Sequence, residues 1–213
     1  GWGQTTSSEI NGGNTGYAVS DAAPLDPYYN YNYTQMIYSA SELTSAGLTP
    51  GSSISGVQFY YYIDGGDETR FDDWVIYLGN TSTSSFNSNT SWISTSNMSS
   101  VFNSTVTFQA NWMTINFSSN FTWDGTSNLV IAVDENSPLY GSNVSPWLVT
   151  NPTGSNYEVI YYRADGLNPN PASPPTATGI FPWRPIIKLK YTNCNPPTIS
   201  YSGSPYVFCL NSP

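Results

Sequence analysis

The chain has 213 residues, a formal net charge of -9, no histidine and only 9% charged side chains, against about 25% in an average soluble domain. The absence of histidine excludes Ser-His-Asp and Cys-His catalysis and histidine-ligated zinc. Five basic residues are too few to neutralise a run of phosphates, so the composition predicts no nucleic-acid partner. No stretch approaches 18 consecutive apolar residues, and the sequence therefore predicts no membrane span.

Apolar and polar residues alternate with a period of two through most of the chain between Tyr17 and Tyr191, which is typical of half-buried antiparallel strands. The clearest runs are 53–64, 72–79, 111–117, 157–163 and 185–191, while 128–134 is apolar on both faces, like a central strand. Clusters of Gly, Pro, Asn and Ser separate these runs. The sequence predicts an all-β, antiparallel two-sheet β-sandwich, jelly-roll-like, with eight to ten strands and short helical turns at 39–47 and 94–102.

The sandwich domain is expected to cover residues 1–191, with 1–16 as a candidate extended N-terminal arm. The chain starts without an initiator Met or a leader, which indicates a mature or excised piece. Residues 192–213 differ in residue pattern from the preceding strands and are expected to form a linker with a strand-like tail, or the start of a second module. Such a tail can add to the open edge of a neighbouring sheet.

Two cysteines and several sequons bear on the cellular compartment. In an oxidising compartment Cys194 and Cys209 are expected to form a disulfide that closes a short loop, the alternatives being unpaired thiols or partners beyond Pro213. The acidic, lysine-poor composition favours an extracellular protein. Candidate N-glycosylation sites fit Asn-x-Ser/Thr, and they are Asn32, Asn80, Asn89, Asn97, Asn103, Asn116, Asn120 and Asn143.

Clustered carboxylates suggest a Ca²⁺ site, because this ion takes six to eight oxygen ligands. One cluster lies in a Gly-bearing loop between two strands and the other at a strand end. The alternatives are a solvated acidic hairpin with Arg70 as counter-charge, and turn-favouring residues that end a strand. Ca²⁺ is the one cofactor considered, and its candidate ligands are Asp64, Asp67, Glu68, Asp72, Asp73, Asp134 and Glu135.

Tyrosine and tryptophan supply a candidate contact surface, since sugar rings stack on aromatic faces and aromatic residues also enrich protein interfaces. Burial in the core is the alternative, because the same residues have high β propensity. The candidate platform for a glycan or partner comprises Tyr28, Tyr29, Tyr31, Tyr33, Trp147 and Trp183.

Several stretches in fixed order resemble a β-sandwich module of secreted and surface proteins of the Bacteroidetes type, often exported by type IX secretion. The similarity covers about Tyr29 to Tyr191, and its marks are TQMIYSASEL (34–43), DDWVIYLGNTSTSSFNSNTSWI (72–93), the segments 101–136 and 159–176, and RPIIKLKY (184–191). The tail PPTISYSGSPYVFC is similar to the opening of short Ig-like repeats in long surface adhesins. The resemblance implies an extracellular, non-catalytic module and supplies no catalytic residues.

Three hypotheses for function remain at this stage. The first is a structural or adhesive module, a unit of a cell-surface filament or multidomain adhesin that assembles with copies of itself or neighbouring modules through sheet edges and the C-terminal tail. The second is a carbohydrate-binding module of a secreted enzyme. The third is an enzyme in its own right. This hypothesis is disfavoured because the sequence has no histidine and contains no catalytic motif.

Overall fold

A computed structural model describes residues 3–11, 17–20, 23–62, 68–141, 146–150 and 156–194. Nearly all of its regular structure is β. The strands are β1 (Thr5–Thr6), β2 (Tyr17–Ser20), β3 (Tyr31–Tyr38), β4 (Ser53–Tyr61), β5 (Asp73–Thr81), β6 (Ser99–Thr105), β7 (Asn111–Thr122), β8 (Asn128–Glu135), β9 (Trp147–Thr150), β10 (Val159–Ala164), β11 (Gly179–Phe181) and β12 (Ile187–Thr192). One α-helix, α1 (Ala40–Ser45), and two 3₁₀ turns, Glu68–Arg70 and Thr95–Asn97, complete the elements.

The strands form two antiparallel sheets that pack face to face. In the first sheet the order is β11-β10-β3-β8-β5-β6. In the second, β4 lies between β12 and β7, β1 borders β12, and β9 meets the end of β4 and pairs with β2. The prediction of an all-β two-sheet sandwich is confirmed.

Period-two alternation places one side of each strand in the core between the sheets. In β4, Val57, Phe59 and Tyr61 belong to the main buried cluster, so the residues between them face outward. Strand β8 is apolar on both faces because the first sheet is also covered on its outer face. There a second buried cluster forms around Ile37 and Phe86, with Trp92 and Ile93 packed against it.

Helix α1 begins where the sequence indicates. Ser39 is its N-cap, and the hydroxyl of Ser39 accepts from the backbone N–H of Glu42 while the Glu42 carboxylate accepts from the backbone N–H of Ser39. This reciprocal capping box satisfies two backbone donors at the helix start. Leu43 is buried and anchors the helix to the sandwich. The two short helical turns expected near 39–47 and 94–102 are therefore present.

The described residues contain more strands than the eight to ten expected. Strands β9 and β11 have only four and three residues, too few for a period-two pattern to stand out. The candidate arm also contributes to the fold, because β1 pairs with β12 and Ile10 is buried and bridges Ile187. Residues 195–213 lie outside the described part of the chain, so the expectation of a strand-like tail stays a prediction.

Gly125→Ala is expected to destabilise the protein by about 2–4 kcal/mol. Gly125 has φ +87°, and a Cβ there would lie 2.5 Å from Pro50, so the alanine is both strained and in collision. Gly166→Ala is the matched control, because nothing lies within 4 Å of its added Cβ, and its change is expected to stay within about 0.5 kcal/mol. Urea unfolding measures both. Equal stability of the two variants would contradict the role of Gly125.

Candidate functional site

Exposed apolar side chains gather at one end of the sandwich, where β3 and β9 begin and β4, β8 and β10 end. Of the seven large hydrophobic residues exposed in the described part of the chain, five lie in the loops at this end. Concentrations of exposed apolar side chains are common at sites of interaction with other molecules. We call it the apolar end, and its members are Tyr28, Tyr62, Leu139, Tyr140 and Leu167.

The rings of the apolar end are tilted against one another. Tyr28 and Tyr140 have ring centroids 6.3 Å apart at an interplanar angle of 60°, and Tyr28 meets Tyr29 edge-on, at 88°. Arg70 lies over the Tyr140 ring at 5.7 Å and Arg163 over the Tyr29 ring at 4.8 Å. The rings therefore form an uneven surface and no coplanar platform.

A buried polar framework holds these loops in place. The Asp26 carboxylate is 2% exposed and forms an ion pair with Arg163, which joins the loop before β3 to strand β10. The Asn32 side chain accepts from the Asp26 N–H and donates to the carbonyl oxygens of Asp26 and Tyr29. The amide of Asn30 donates to the carbonyls of Pro138 and Asp165. The apolar end is thus pre-organised by three separate segments of the chain.

The predicted six-residue aromatic platform is not assembled. Tyr28 and Tyr29 lie at the apolar end and Tyr31 is half-buried at the start of β3. Tyr33 and Trp147 are wholly buried, so their assignment to an exposed platform was wrong. Tyr33 packs 5.0 Å from Trp92 under the cover of the first sheet. Trp147 contacts three aromatic rings of the main core, those of Phe59, Tyr61 and Trp74.

The sequence did not predict where Trp183 lies or which other residues form the apolar end. Trp183 is 45% exposed but lies beside Phe181 of β11, away from the apolar end. Tyr62, Leu139, Tyr140 and Leu167 were not assigned to a contact surface. One sequence feature could have indicated this surface: Leu139 and Tyr140 are two large apolar residues inside a turn otherwise made of Pro, Gly, Asn and Ser.

The carboxylates expected to bind Ca²⁺ do not converge in the described part of the chain, where no group of three or more His, Cys, Asp or Glu is placed to hold a metal ion. Asp134 and Glu135 are consecutive in β8, so they point to opposite faces of the sheet. Asp73 is the first residue of β5 and Asp72 directly precedes the strand. Asp64 and Asp67, with the side chain of Glu68, lie outside the described residues.

Asp134 and Glu135 are nevertheless unusual, since both are buried carboxyl groups. Glu135 accepts from the Ser137 N–H at 2.7 Å, and Asp134 accepts from the Asn136 side chain at 3.2 Å. One oxygen of each carboxyl has no hydrogen-bond partner. Burial raises the pKa of Asp134 to about 7 and that of Glu135 to about 8. Both pKa values therefore lie near neutral pH, and both groups sit directly before the loop that carries Leu139 and Tyr140.

The sequons differ in accessibility. Asn32 is 2% exposed with its amide engaged inside the apolar end, so it cannot accept a glycan in the folded chain and its assignment was wrong. Asn80 is half-buried, and Asn143 lies outside the described residues. The Cys194–Cys209 disulfide stays a prediction because Cys209 also lies outside them. The sequon asparagines that are exposed are Asn89, Asn97, Asn103, Asn116 and Asn120.

Comparison with known proteins finds no matching family model, no matching curated protein and no matching solved structure. Within the part of the chain that the structure describes, none of the helices has the length and apolar character needed to cross a membrane.

Proposed function

We propose that the chain is a non-catalytic extracellular β-sandwich module with a structural or adhesive role, and that it contacts copies of itself or neighbouring modules through the apolar end. One observation carries the proposal: five of the seven exposed large hydrophobic residues of the described chain lie at this end. Partner contacts typically centre on such aromatic and apolar side chains rather than on charged ones.

The framework beneath the apolar end supports a role in binding. Because Asp26, Arg163, Asn30 and Asn32 fix the loops in the free chain, less conformational entropy is lost when a partner docks. Edge-on tyrosine pairs present both apolar faces and hydroxyl groups, and such side chains are enriched at protein interfaces.

Sheet edges are the weaker contact surface. The edge strands β1, β2 and β11 have two, four and three residues, and short edge strands limit the addition of a foreign strand. The two longer edge strands, β6 and β7, lie against each other, and the Ser118 hydroxyl donates to the Val101 carbonyl there. The proposal therefore gives the apolar end the main role and the edges a lesser one.

The arrangement of the buried acids supports the non-catalytic part of the proposal. Glycoside hydrolysis requires two carboxyl groups that flank one bond in a cleft. Asp134 and Glu135, the two carboxyl groups with the strongly raised pKa values, lie on opposite faces of β8 and cannot flank one bond.

Tyr28→Ser/Tyr140→Ser is expected to weaken self-association at least about tenfold, equivalent to about 1.4 kcal/mol, because it removes two exposed rings from the centre of the contact. Sedimentation velocity over a concentration series measures the association constant. Tyr157→Ser is the control, since Tyr157 is also exposed, at 39%, but lies at the other end of β10. A wild-type chain that stays monomeric at every concentration, or equal losses in the double variant and the control, would contradict the proposal.

A further inference from the structure

The two lysines of the chain lie on one surface, the outer face of the second sheet. The chain has five basic residues. Arg163 pairs with Asp26, and Arg184 pairs with Glu42 and Glu158, whereas Lys188 makes a longer, partly exposed contact of 3.9 Å with Glu9. Lys188 and Lys190 alternate with the buried Ile187, Leu189 and Tyr191 of β12, so both ammonium groups leave the sheet on the solvent side.

Aromatic and amide side chains stand beside Lys188. The register pairs Lys188 with Gln58, Gln58 with Thr114, and Tyr60 with Trp112. The Gln58 amide donates to the Thr114 hydroxyl at 2.7 Å, and the Tyr60 and Trp112 rings meet edge-on at 5.3 Å. The Lys188 Nζ lies 4.0 Å from the centre of the Trp112 ring. A cation–π contact of this kind fixes the ammonium group in place.

Lys190 reaches across β4 because Gly56 leaves room for it. Gly56 is paired with Lys190 on one side and Asn116 on the other, and a Cβ at Gly56 would lie 3.3 Å from the Lys190 Cδ. The Lys190 Nζ donates to the Asn116 side chain at 2.6 Å. Both ammonium groups therefore lean toward β7, and their Cα atoms are about 7 Å apart along β12.

We propose that this surface, the lysine face, binds a polysaccharide that carries uronate carboxylates. The lysine face is defined by Lys188, Lys190, Tyr60, Trp112, Gln58 and Asn116. Carboxylates of the polymer contact the two ammonium groups, the C–H faces of its rings lie against Tyr60 and Trp112, and its hydroxyls bond the amides of Gln58 and Asn116.

Charge complementarity selects this occupant. The chain as a whole carries a net charge of -9, which opposes the binding of any polyanion, so the attraction of an anionic ligand depends on the place where two ammonium groups stand together. Two cations are too few for a nucleic-acid backbone. Half-exposed rings, amides and hydroxyls beside the lysines provide the apolar and polar contacts that a sugar ring needs and a simple ion does not.

The test uses polygalacturonate as the probe and isothermal titration calorimetry with the whole chain. Lys188→Gln/Lys190→Gln is expected to weaken binding at least tenfold. Asn156→Asp/Asn170→Asp lowers the net charge by the same two units at exposed positions and is expected to retain most of the affinity. Raising the salt from about 0.05 M to about 0.5 M is expected to weaken wild-type binding, because the contact is between exposed charges.

Two further arms separate uronate recognition from simple charge attraction. Fully methyl-esterified polygalacturonate keeps the sugar backbone without its charge and is expected to bind at least tenfold more weakly. Equal losses in the lysine and the asparagine variants, or no wild-type binding at low salt, would overturn the proposal. Tyr28→Ser/Tyr140→Ser is expected to bind polygalacturonate as the wild type does, so the lysine face and the apolar end succeed or fail independently.

Discussion

Arg184→Met is expected to lower the free energy of unfolding by about 2–4 kcal/mol, because it leaves the half-buried carboxylates of Glu42 and Glu158 without their counter-charge. Arg184 is 1% exposed and lies between β11 and β12. Its guanidinium group forms an ion pair with Glu42 of α1, lies 3.3 Å from Glu158 and donates to the Ile37 carbonyl at 2.5 Å.

The same arginine links the helix cap to the sheet. Its Cζ lies 4.6 Å from the centre of the Tyr38 ring, and Glu42 is also the residue that completes the capping box with Ser39. Burial alone would raise the pKa of Glu42, but Arg184 and the Ser39 hydrogen bonds lower it. Removing Arg184 therefore weakens the ion pairs and the start of α1 together.

Urea unfolding at neutral pH measures this loss. Arg184→Met/Glu42→Gln/Glu158→Gln removes the stranded charges as well and is expected to recover part of the stability. Lys188→Met is the control, because Lys188 makes a partly exposed ion pair with Glu9 at 3.9 Å, and its loss is expected to cost at most about 1 kcal/mol. A cost for Arg184→Met no larger than that of the control would contradict the account.

The free energy of unfolding is expected to fall as the pH rises from about 5 to about 8, because Asp134 and Glu135 ionise less readily in the folded protein than in the unfolded chain. Burial raises the pKa of Asp134 from 3.8 to about 7 and that of Glu135 from 4.5 to about 8. Below its unfolded pKa each group is protonated in both states and costs nothing. Above it the unfolded chain is ionised while the folded chain still holds the proton, so stability falls until the folded pKa is passed.

The expected loss between pH 5 and pH 8 is on the order of 3 kcal/mol for each group, since one pKa unit corresponds to about 1.4 kcal/mol and part of each shift lies below pH 5. The environment of both groups is acidic or neutral: Asp73 adds a repulsive charge beside both carboxyls, and Tyr33 and Tyr77 lie near Asp134. The pKa of Glu42 is lowered rather than raised, so its effect on the pH dependence is opposite. Its contribution to the free energy of unfolding is lost only as the pH falls below the ordinary glutamate range.

Chemical unfolding from pH 5 to pH 8 tests this dependence. Glu135→Gln and Asp134→Asn are each expected to flatten the profile and to be more stable than the wild type at pH 8, because the amides carry no charge to bury. At pH 5 the advantage is expected to be much smaller. A wild-type stability that rises from pH 5 to pH 8, or variants that keep the full slope, would contradict the assigned burial of these carboxyls.

The strands were predictable where the local pattern matches the tertiary environment. In β4, the alternation of Val57, Phe59 and Tyr61 already assigns these residues to the core, and Ser39 with Glu42 marks the start of α1. Strand β11 was not predictable, because its three residues are too few to show the alternation of apolar and polar side chains. The same alternation also places Asp134 and Glu135 on opposite faces, so the sequence already argues against one metal ion bound by both of these carboxylates.

The apolar end could not be predicted, because it depends on which loops meet. Tyr28, Tyr62 and Tyr140 are far apart in the chain and come together only through the order of strands in the two sheets. Composition also does not distinguish a surface tyrosine from a core one. Tyr28 and Tyr33 stand in the same tyrosine-rich segment, yet Tyr28 is 47% exposed while Tyr33 is wholly buried beneath Trp92.

We propose that the apolar end is the contact surface of an extracellular, non-catalytic module. Electron microscopy of the native assembly, at a resolution that places side chains, tests this proposal most directly. We expect Tyr28, Leu139 and Tyr140 to be covered by a neighbouring copy or module in the repeating contact. An assembly in which these three side chains face solvent while neighbours join through other surfaces would contradict it.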